Sequence, residues 1–268
     1  MKFKTALCQI RGSFDKEESK NKVAGTVAAA VSGGAEVVCL PEMWDCPYSN
    51  DYFREYAEPQ DGDIVKFMSG LAATHGIYLI GGSISEIEDD RIYNTAFVFD
   101  REGKTIAKHR KAHLFDIDVK GGIRFMESDT LTAGDKATVF DTEFGRMGVA
   151  ICYDIRFPEL SRKMALEGAK IIYLPAAFNM TTGPVHWDLS IRARALDNQV
   201  YFAACSPARD EEGVYVAYGH SSVADPWGRI TAAADEKEAI VYADIDTDYV
   251  DEVRQQLPLL KHRREELY

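Results

Sequence analysis

The sequence predicts an α/β protein of two related halves, with two sheets face to face and helices outside, and three observations carry that prediction. Short apolar runs of strand length alternate with stretches of helical periodicity, the pattern of βαβ units around a buried sheet. Segments of the first half also recur, in order, in the second. Ala6-Leu7-Cys8 answers Ala150-Ile151-Cys152, and GGAEVVCLPE (33–42) answers EGAKIIYLPA (167–176). Gly76 to Ser83 answers Gln199 to Ser206, and FDREGKTIA (99–107) answers ADPWGRITA (224–232). Finally, the apolar run from Met147 to Cys152 stops abruptly in polar residues, with Pro158 soon after. Cys152 therefore sits at the C-terminal lip of a buried strand, where the following loop and helix N-terminus of a parallel sheet face a ligand.

Each element follows from local pattern. Phe3 to Ile10 reads as a strand, and Asp15 with Glu18 three residues on reads as the N-cap pair of a helix. That helix buries Val23, Val27 and Val31 and stops at Gly33-Gly34. Ala35 to Leu40 is a second strand, closed by Pro41 and Glu42. A helix from about Ile64 to His75 and strands Ile77 to Ile84 and Tyr93 to Phe99 follow; a turn at Glu102-Gly103 leads into Thr105 to Lys108. Lys108 to Gly134 is too polar and glycine-rich for a core element and too long for a simple connection, the profile of a functional loop. In the second half, the polar segment Ala177 to Leu196 runs into a helix around Trp187. After a strand Ile240 to Ile245, the tail from Val250 to Tyr268 carries Leu257, Leu259 and Leu260 among many charges and is expected to pack on its own domain or on a partner subunit. The chain reads as one domain over 1–268.

Composition narrows the function. At 268 residues, 46% hydrophobic and 28% charged, the chain is an ordinary globular protein. Its five cysteines, an odd number with no C-x-x-C pair, argue for reduced thiols in a cytoplasm over a disulfide framework or a zinc site. No apolar stretch approaches membrane-spanning length, so no membrane partner is expected. A formal net charge of -12 without a basic stripe points away from nucleic acid. The same charge means that an anionic substrate needs a dedicated cation in its pocket.

Glu42 closes one strand, and Lys111 stands at the mouth of the long loop. A lone glutamate or lysine at a strand end is usually solvated, and most cysteines are small core residues. Together with Cys152, however, they make a chemically sensible set. A thiol needs a base and a cation to act as a nucleophile near neutral pH, and an acyl intermediate needs a positive group for its oxyanion. Other classes leave weaker marks in the sequence. His109 and His113, four apart, have a spacing that can bind zinc on a helix, but no HExxH accompanies them. A Cys-His hydrolase using His113 or His186 stays open, as does a non-catalytic scaffold. Serine-hydrolase and phosphate-binding motifs are missing from the sequence.

LPEMW (40–44), HRKAHLFD (109–116) and GVAICYDIRFPEL (148–160) resemble, in order and spacing, the three signature segments of the carbon-nitrogen hydrolase, or nitrilase, superfamily. The resemblance covers essentially the whole chain. It implies a four-layer αββα sandwich, in agreement with the repeated halves, and an enzyme without cofactor or metal. It implies a catalytic set of Glu42, Lys111 and Cys152, with Glu127 positioning the lysine and the backbone N–H of Tyr153 completing the oxyanion hole.

Within that superfamily, Tyr153-Asp154 after the cysteine resembles the amidase side. HLFDIDVKGGIRFMES (113–128), FNMTTGPVHW (178–187) and QQLPLLKHRREELY (255–268) resemble the ω-amidase branch. That branch deamidates α-ketoglutaramate and α-ketosuccinamate to 2-oxo dicarboxylates. Deaminated glutathione amidase and N-carbamoyl amine or amino-acid hydrolase are the alternatives within the superfamily. One departure is Lys120-Gly121-Gly122, where the branch is expected to carry a proline. Arg156, four residues past Cys152, offers a guanidinium fork for the carboxylate of a small anionic amide, with a structural salt bridge as the alternative role. The branch resemblance implies the same role for Arg156, a hydroxyl contact from Thr182, a pocket lined by Tyr48 and Phe178, and a homodimer.

Overall fold

The computed structural model describes residues 1–121 and 123–267; Gly122, within the segment where a proline is expected, and the C-terminal Tyr268 lie outside the described residues. The first half runs β1 (Lys2–Gln9), α1 (Lys16–Ser32), β2 (Val37–Cys39), α2 (Asn50–Tyr56), α3 (Asp63–His75), β3 (Tyr78–Ile80), β4 (Ile84–Glu88), β5 (Arg91–Phe99) and β6 (Thr105–Arg110). A small hairpin, β7 (Asp116–Asp118) and β8 (Arg124–Met126), occupies the long polar loop. The second half runs β9 (Thr138–Thr142), β10 (Gly145–Val149), α4 (Pro158–Leu166), β11 (Ile171–Pro175), α5 (Gly183–Asn198), β12 (Tyr201–Cys205), β13 (Ser222–Ala224) and β14 (Ile230–Ala233). Then β15 (Ala239–Asp246) crosses back to the first sheet, and α6 (Thr247–Gln256) follows. Among the described residues no helix is long and apolar enough to cross a membrane.

The strand order shows the duplication. One sheet reads β15-β1-β2-β3-β5, with β6 and β4 both pairing β5; the other reads β9-β10-β11-β12-β13-β14. In each, three central strands are parallel and the flanking ones antiparallel. Period-two alternation sorts the side chains into layers. Leu7, Val37 and Cys39 join the inter-sheet core with Ile171 and Tyr173, and the Tyr173 hydroxyl donates to Thr5 Oγ1 across the sheets at 3.0 Å. On the outer face of the first sheet, Ala6, Cys8, Val38 and Leu40 pack with Val23 and Val27 of α1 and Ile64 and Met68 of α3. This is the expected αββα sandwich.

The match extends to single turns. The Asp100 carboxylate accepts from the N–H groups of Glu102 and Lys104, and Asp225 accepts from Trp227 and Arg229 in the same way. Gly103 and Gly228 each hold φ 78° in these paired turns. Gly76 and Gln199, also paired in the repeat, both end a helix in the left-handed region, at φ 61° and 50°.

Several expectations need correction. Thr5 pairs with Val37 and Met147 with Ile171, so the register matches Cys152 to Ile10; Cys8, the expected counterpart, lies two residues earlier, inside its strand. The expected strand Ile77 to Ile84 breaks at Gly81-Gly82, because the chain there crosses Pro41. Gly82 holds φ +67°, and a Cβ on it would come 2.1 Å from the Pro41 carbonyl oxygen. At the start of α1, Asp15 Oδ1 accepts from the N–H groups of Glu17 and Glu18. Glu18 does not close a capping box: its carboxylate binds Ser13 Oγ, which also accepts from the Asp15 N–H. The apolar run after Gly145 is strand only to Val149, since the chain turns into a 3-10 helix at Cys152. Pro158, which looks like a breaker, is the first residue of α4, where its missing N–H costs nothing.

Candidate active site

The chemistry gathers where strand ends of both halves meet. Glu42 follows β2 in a segment held from beneath by the glycine break: Met43 N–H donates to Ser83 Oγ at 3.1 Å, and Trp44 Nε1 donates to the Gly81 carbonyl at 2.9 Å. The Glu42 carboxylate is buried. Its Oε1 accepts from Lys111 Nζ at 3.0 Å and Asn94 Nδ2 at 2.8 Å, and its Oε2 accepts from the Ala177 N–H at 2.7 Å. That last donor follows β11, so the second half helps fix the carboxylate of the first.

Lys111 comes one residue after β6, its N–H bonded to the Asn94 carbonyl at 2.8 Å. Its ammonium is buried between two carboxylates, 3.0 Å from Glu42 Oε1 and 2.9 Å from Glu127 Oε1. Burial works against the charge, but Glu127 and then Glu42 hold its pKa above that of an ordinary lysine. Glu127 arrives on the short 3-10 turn after β8, and its other oxygen takes the Phe115 N–H at 2.6 Å. The Tyr48 hydroxyl donates to Glu127 Oε1 at 2.5 Å and accepts from Lys111 Nζ at 3.2 Å. Burial and the neighbouring carboxylates raise its pKa well above the usual value, so Tyr48 remains a donor.

Cys152 completes the group from the end of β10. Its φ of 42° lies in the left-handed region, which costs a non-glycine residue strain that the surroundings must offset. Its thiol is buried beside Glu42, and its pKa is pushed up first by burial and then by the charge of Glu42, with Lys111 pulling the other way. The raised pKa keeps the resting group a thiol.

Asp154 supports this turn. Its buried carboxylate accepts from Ile151 N–H at 3.0 Å and His113 N–H at 3.0 Å, and it meets His109 Nε2 at 2.9 Å and His113 Nδ1 at 2.8 Å. Burial opposes its charge, yet the two histidines hold its pKa well below the usual carboxylate range. His109 and His113 flank Lys111, and Asp154 lies two residues past Cys152, so one carboxylate ties the lysine strand to the cysteine turn. This arrangement engages both histidines of the zinc reading, His109 and His113, and one of the two in the Cys-His reading; the other, His186, lies against Arg156.

The expected binding residues lie to one side. The Arg156 guanidinium stands over the rings of Phe178, 4.8 Å away, and Tyr153, 5.6 Å away, and its Nη1 is 3.1 Å from His186 Nδ1. Thr182 immediately precedes α5, with its hydroxyl donating to Asn179 Oδ1 at 3.2 Å. Three contributors escaped sequence reasoning: Asn94, Asp154 and Tyr215. The Tyr215 ring lies 4.7 Å from that of Tyr48, and its hydroxyl donates to the Ala177 carbonyl at 2.6 Å. Burial raises its pKa, Cys152 and Glu42 add to the rise, and Arg156 opposes it, so Tyr215 stands within the field of both the reacting groups and the cation. The Asp154 signal was present as two histidines flanking one lysine; Asn94 and Tyr215 carried none.

Comparison with known proteins gives matches over nearly the whole chain. The carbon-nitrogen hydrolase family model matches residues 4–255. An omega-amidase NIT2 of Xenopus tropicalis is 49% identical over 267 residues, covering 100% of this chain and 97% of the relative. The human omega-amidase NIT2 is 48% identical over 266 residues, covering 99% and 96%. Among solved structures, Saccharomyces cerevisiae Nit3, a nitrilase-superfamily member, superposes with a TM-score of 0.91 at 45% identity, covering 98% of this chain and 97% of that one.

Proposed function

The chain belongs to the carbon-nitrogen hydrolase family, and from that premise we propose that it is an ω-amidase, releasing ammonia from the terminal amide of short 2-oxo ω-amides such as α-ketoglutaramate. The observation that carries the chemistry is the buried Glu42–Lys111–Glu127 chain beside the Cys152 thiol.

In this mechanism Glu42 takes the thiol proton as Sγ attacks the amide carbonyl. Lys111 and the backbone N–H of Tyr153, in the first turn of its 3-10 helix where N–H groups lack an intrahelical acceptor, stabilise the oxyanion. Glu42 returns the proton to the departing nitrogen, leaving a thioester on Cys152. Water then loses a proton to the same carboxylate, attacks the thioester, and Cys152 recovers its thiol. Glu127 and Tyr48 keep Lys111 charged and aimed throughout. Arg156 binds the substrate carboxylate, Thr182 adds a hydroxyl contact, and Tyr48 and Phe178 line the acyl pocket.

We extend the reading to a single domain working as a homodimer in the cytoplasm. Val185, Leu189 and Leu196 form an apolar stripe on α5, exposed at 64%, 67% and 41%, beside Leu166 on α4. Such a stripe suits a second copy of the chain; sedimentation as a stable monomer would contradict it. All five cysteines are free, as a reducing compartment permits.

Arg156→Lys tests the substrate. A lysine keeps the charge but loses the fork, so kcat/KM for α-ketoglutaramate should fall about 10-fold or more while neutral short amides change little. An equal loss on both would remove Arg156 from the binding role.

A further inference from the structure

The chain carries 43 acidic side chains against 31 basic ones, yet among the described residues no carboxylate pairs with Arg156. Its guanidinium lies over the rings of Phe178 and Tyr153, and among the described residues its one hydrogen bond runs from Nη1 to His186 Nδ1, at 3.1 Å. A guanidinium only donates, so Nδ1 must accept, and the imidazole in this contact is neutral with its proton on Nε2. His186 is exposed, in the first turn of α5, and its place is fixed by its neighbours. Its N–H donates to the Thr182 carbonyl at 2.8 Å. The next residue, Trp187, is buried, meets the Phe178 ring edge-on at 5.1 Å and donates from Nε1 to the His220 carbonyl at 2.7 Å. The turn that carries His186 therefore rests on the same Phe178 ring that carries the guanidinium.

We propose that His186 is a positioning residue for substrate recognition: its neutral Nδ1 takes one N–H of Arg156, fixes the plane of the guanidinium, and leaves the Nε and Nη2 edge for the carboxylate of an anionic ω-amide. This inference rests on the ω-amidase reading, with Arg156 as the partner of the substrate carboxylate. An orienting group could in principle be charged or neutral. A carboxylate at this place would hold the fork but cancel its charge, whereas with no acceptor the fork could turn over the two rings. A neutral imidazole does neither, and the cation stays oriented and unpaired. Because a bidentate pair needs two parallel N–H bonds, its strength depends on that orientation. The preference for anionic over neutral amides thus belongs to the His186–Arg156 pair, and His186 has no part in the steps at Glu42, Lys111 and Cys152.

The test measures kcat and KM of the full-length enzyme for α-ketoglutaramate and for valeramide, a neutral primary amide of the same chain length, in three variants of this exposed position. His186→Leu removes the acceptor and should raise KM for α-ketoglutaramate about fivefold or more, with kcat within about twofold and valeramide little changed. His186→Asn places an amide oxygen where Nδ1 stood and should bring KM back to within about twofold of wild type. His186→Glu supplies a carboxylate that pairs with Arg156, in a first helical turn that tolerates an acidic residue, and should raise KM further than leucine does. In an Arg156→Lys background, His186→Leu should add less than twofold, because the two residues act as one unit. Losses that fall on kcat, losses equal on the two amides, an asparagine no better than leucine, or full additivity with Arg156→Lys each overturn the proposal. These outcomes presuppose a wild-type enzyme that turns over α-ketoglutaramate. A wild type that does not hydrolyse it at all is the separate failure of the ω-amidase reading, and the inference falls with it.

Discussion

Two loops at related strand ends, one in each half, do different work. After β2, Leu40-Pro41 leads into Glu42; after the matching β11, Leu174-Pro175 leads into Ala176, and the next N–H, that of Ala177, binds the Glu42 carboxylate. After β10 the chain turns left-handed at Cys152, whereas the position matched in register at the end of β1 is the core residue Ile10. The duplicated scaffold offers two equivalent edges, and the groups proposed to react are divided between them without repetition. A sheet edge supplies position; only the side chain placed there supplies chemistry.

The largest expected effect comes from exchanging side chains at those matched positions. Cys152→Ala and Glu42→Gln should each lower kcat by about 10³-fold or more, through loss of the nucleophile or of the proton carrier. Ile10→Val should cost about 1 kcal/mol of stability and leave kcat within a few-fold. Comparable losses at Ile10 would break the asymmetry.

Two buried aspartates sharpen the comparison. Asp154, in the cysteine loop, is fully partnered, while Asp45, in the Glu42 loop, leaves both carboxylate oxygens without a hydrogen bond. Burial pushes the Asp45 pKa from 3.8 up to about 7, only partly opposed by Lys16. A carboxyl raised on folding stabilises fully below its unfolded pKa and loses that contribution as pH rises through about 7. Asp45→Asn should therefore flatten the fall in stability between pH 5 and pH 8, a gain of roughly 3 kcal/mol at the upper end. Asp154→Asn turns a donor toward backbone N–H groups and should cost roughly 3 kcal/mol with no such pH benefit. Denaturant melts at both pH values read the two signs.

The smallest effect comes from the paired turns. Gly103 and Gly228 share φ 78°, so alanine strains both by about 1 kcal/mol. A Cβ on Gly103 would come 2.5 Å from the Ser69 carbonyl oxygen, whereas on Gly228 the nearest atom is Leu196 Cβ at 3.2 Å. Gly103→Ala should lower Tm more, by an extra 1–3 kcal/mol equivalent, roughly. Equal shifts would mean that the first-half turn gives way as easily as the second.

Much of this was legible in the chain because it is local. Period-two apolar runs, the helix of Val23 and Val27 and the repeated Leu-Pro strand ends specify layers and order without knowledge of contacts. Glu42, Lys111 and Cys152 were legible as strand-end polar groups that resemble a family pattern. What escaped depends on distant approach. Gly81-Gly82 splits a strand because Pro41 passes over it, and the Cys8 match slipped by two because register is set across strands. Asn94 and Tyr215 look like any other polar or aromatic residue until folding brings them to Glu42 and Tyr48.

The most direct test of the account is ammonia release from α-ketoglutaramate by the wild-type enzyme and by Cys152→Ala, with glutamine alongside. Fast release from the keto amide, little from glutamine, and loss of about 10³-fold or more in the variant are expected. A Cys152→Ala enzyme that keeps its rate would contradict the thioester mechanism, and glutamine turned over as fast as the keto amide would contradict the substrate.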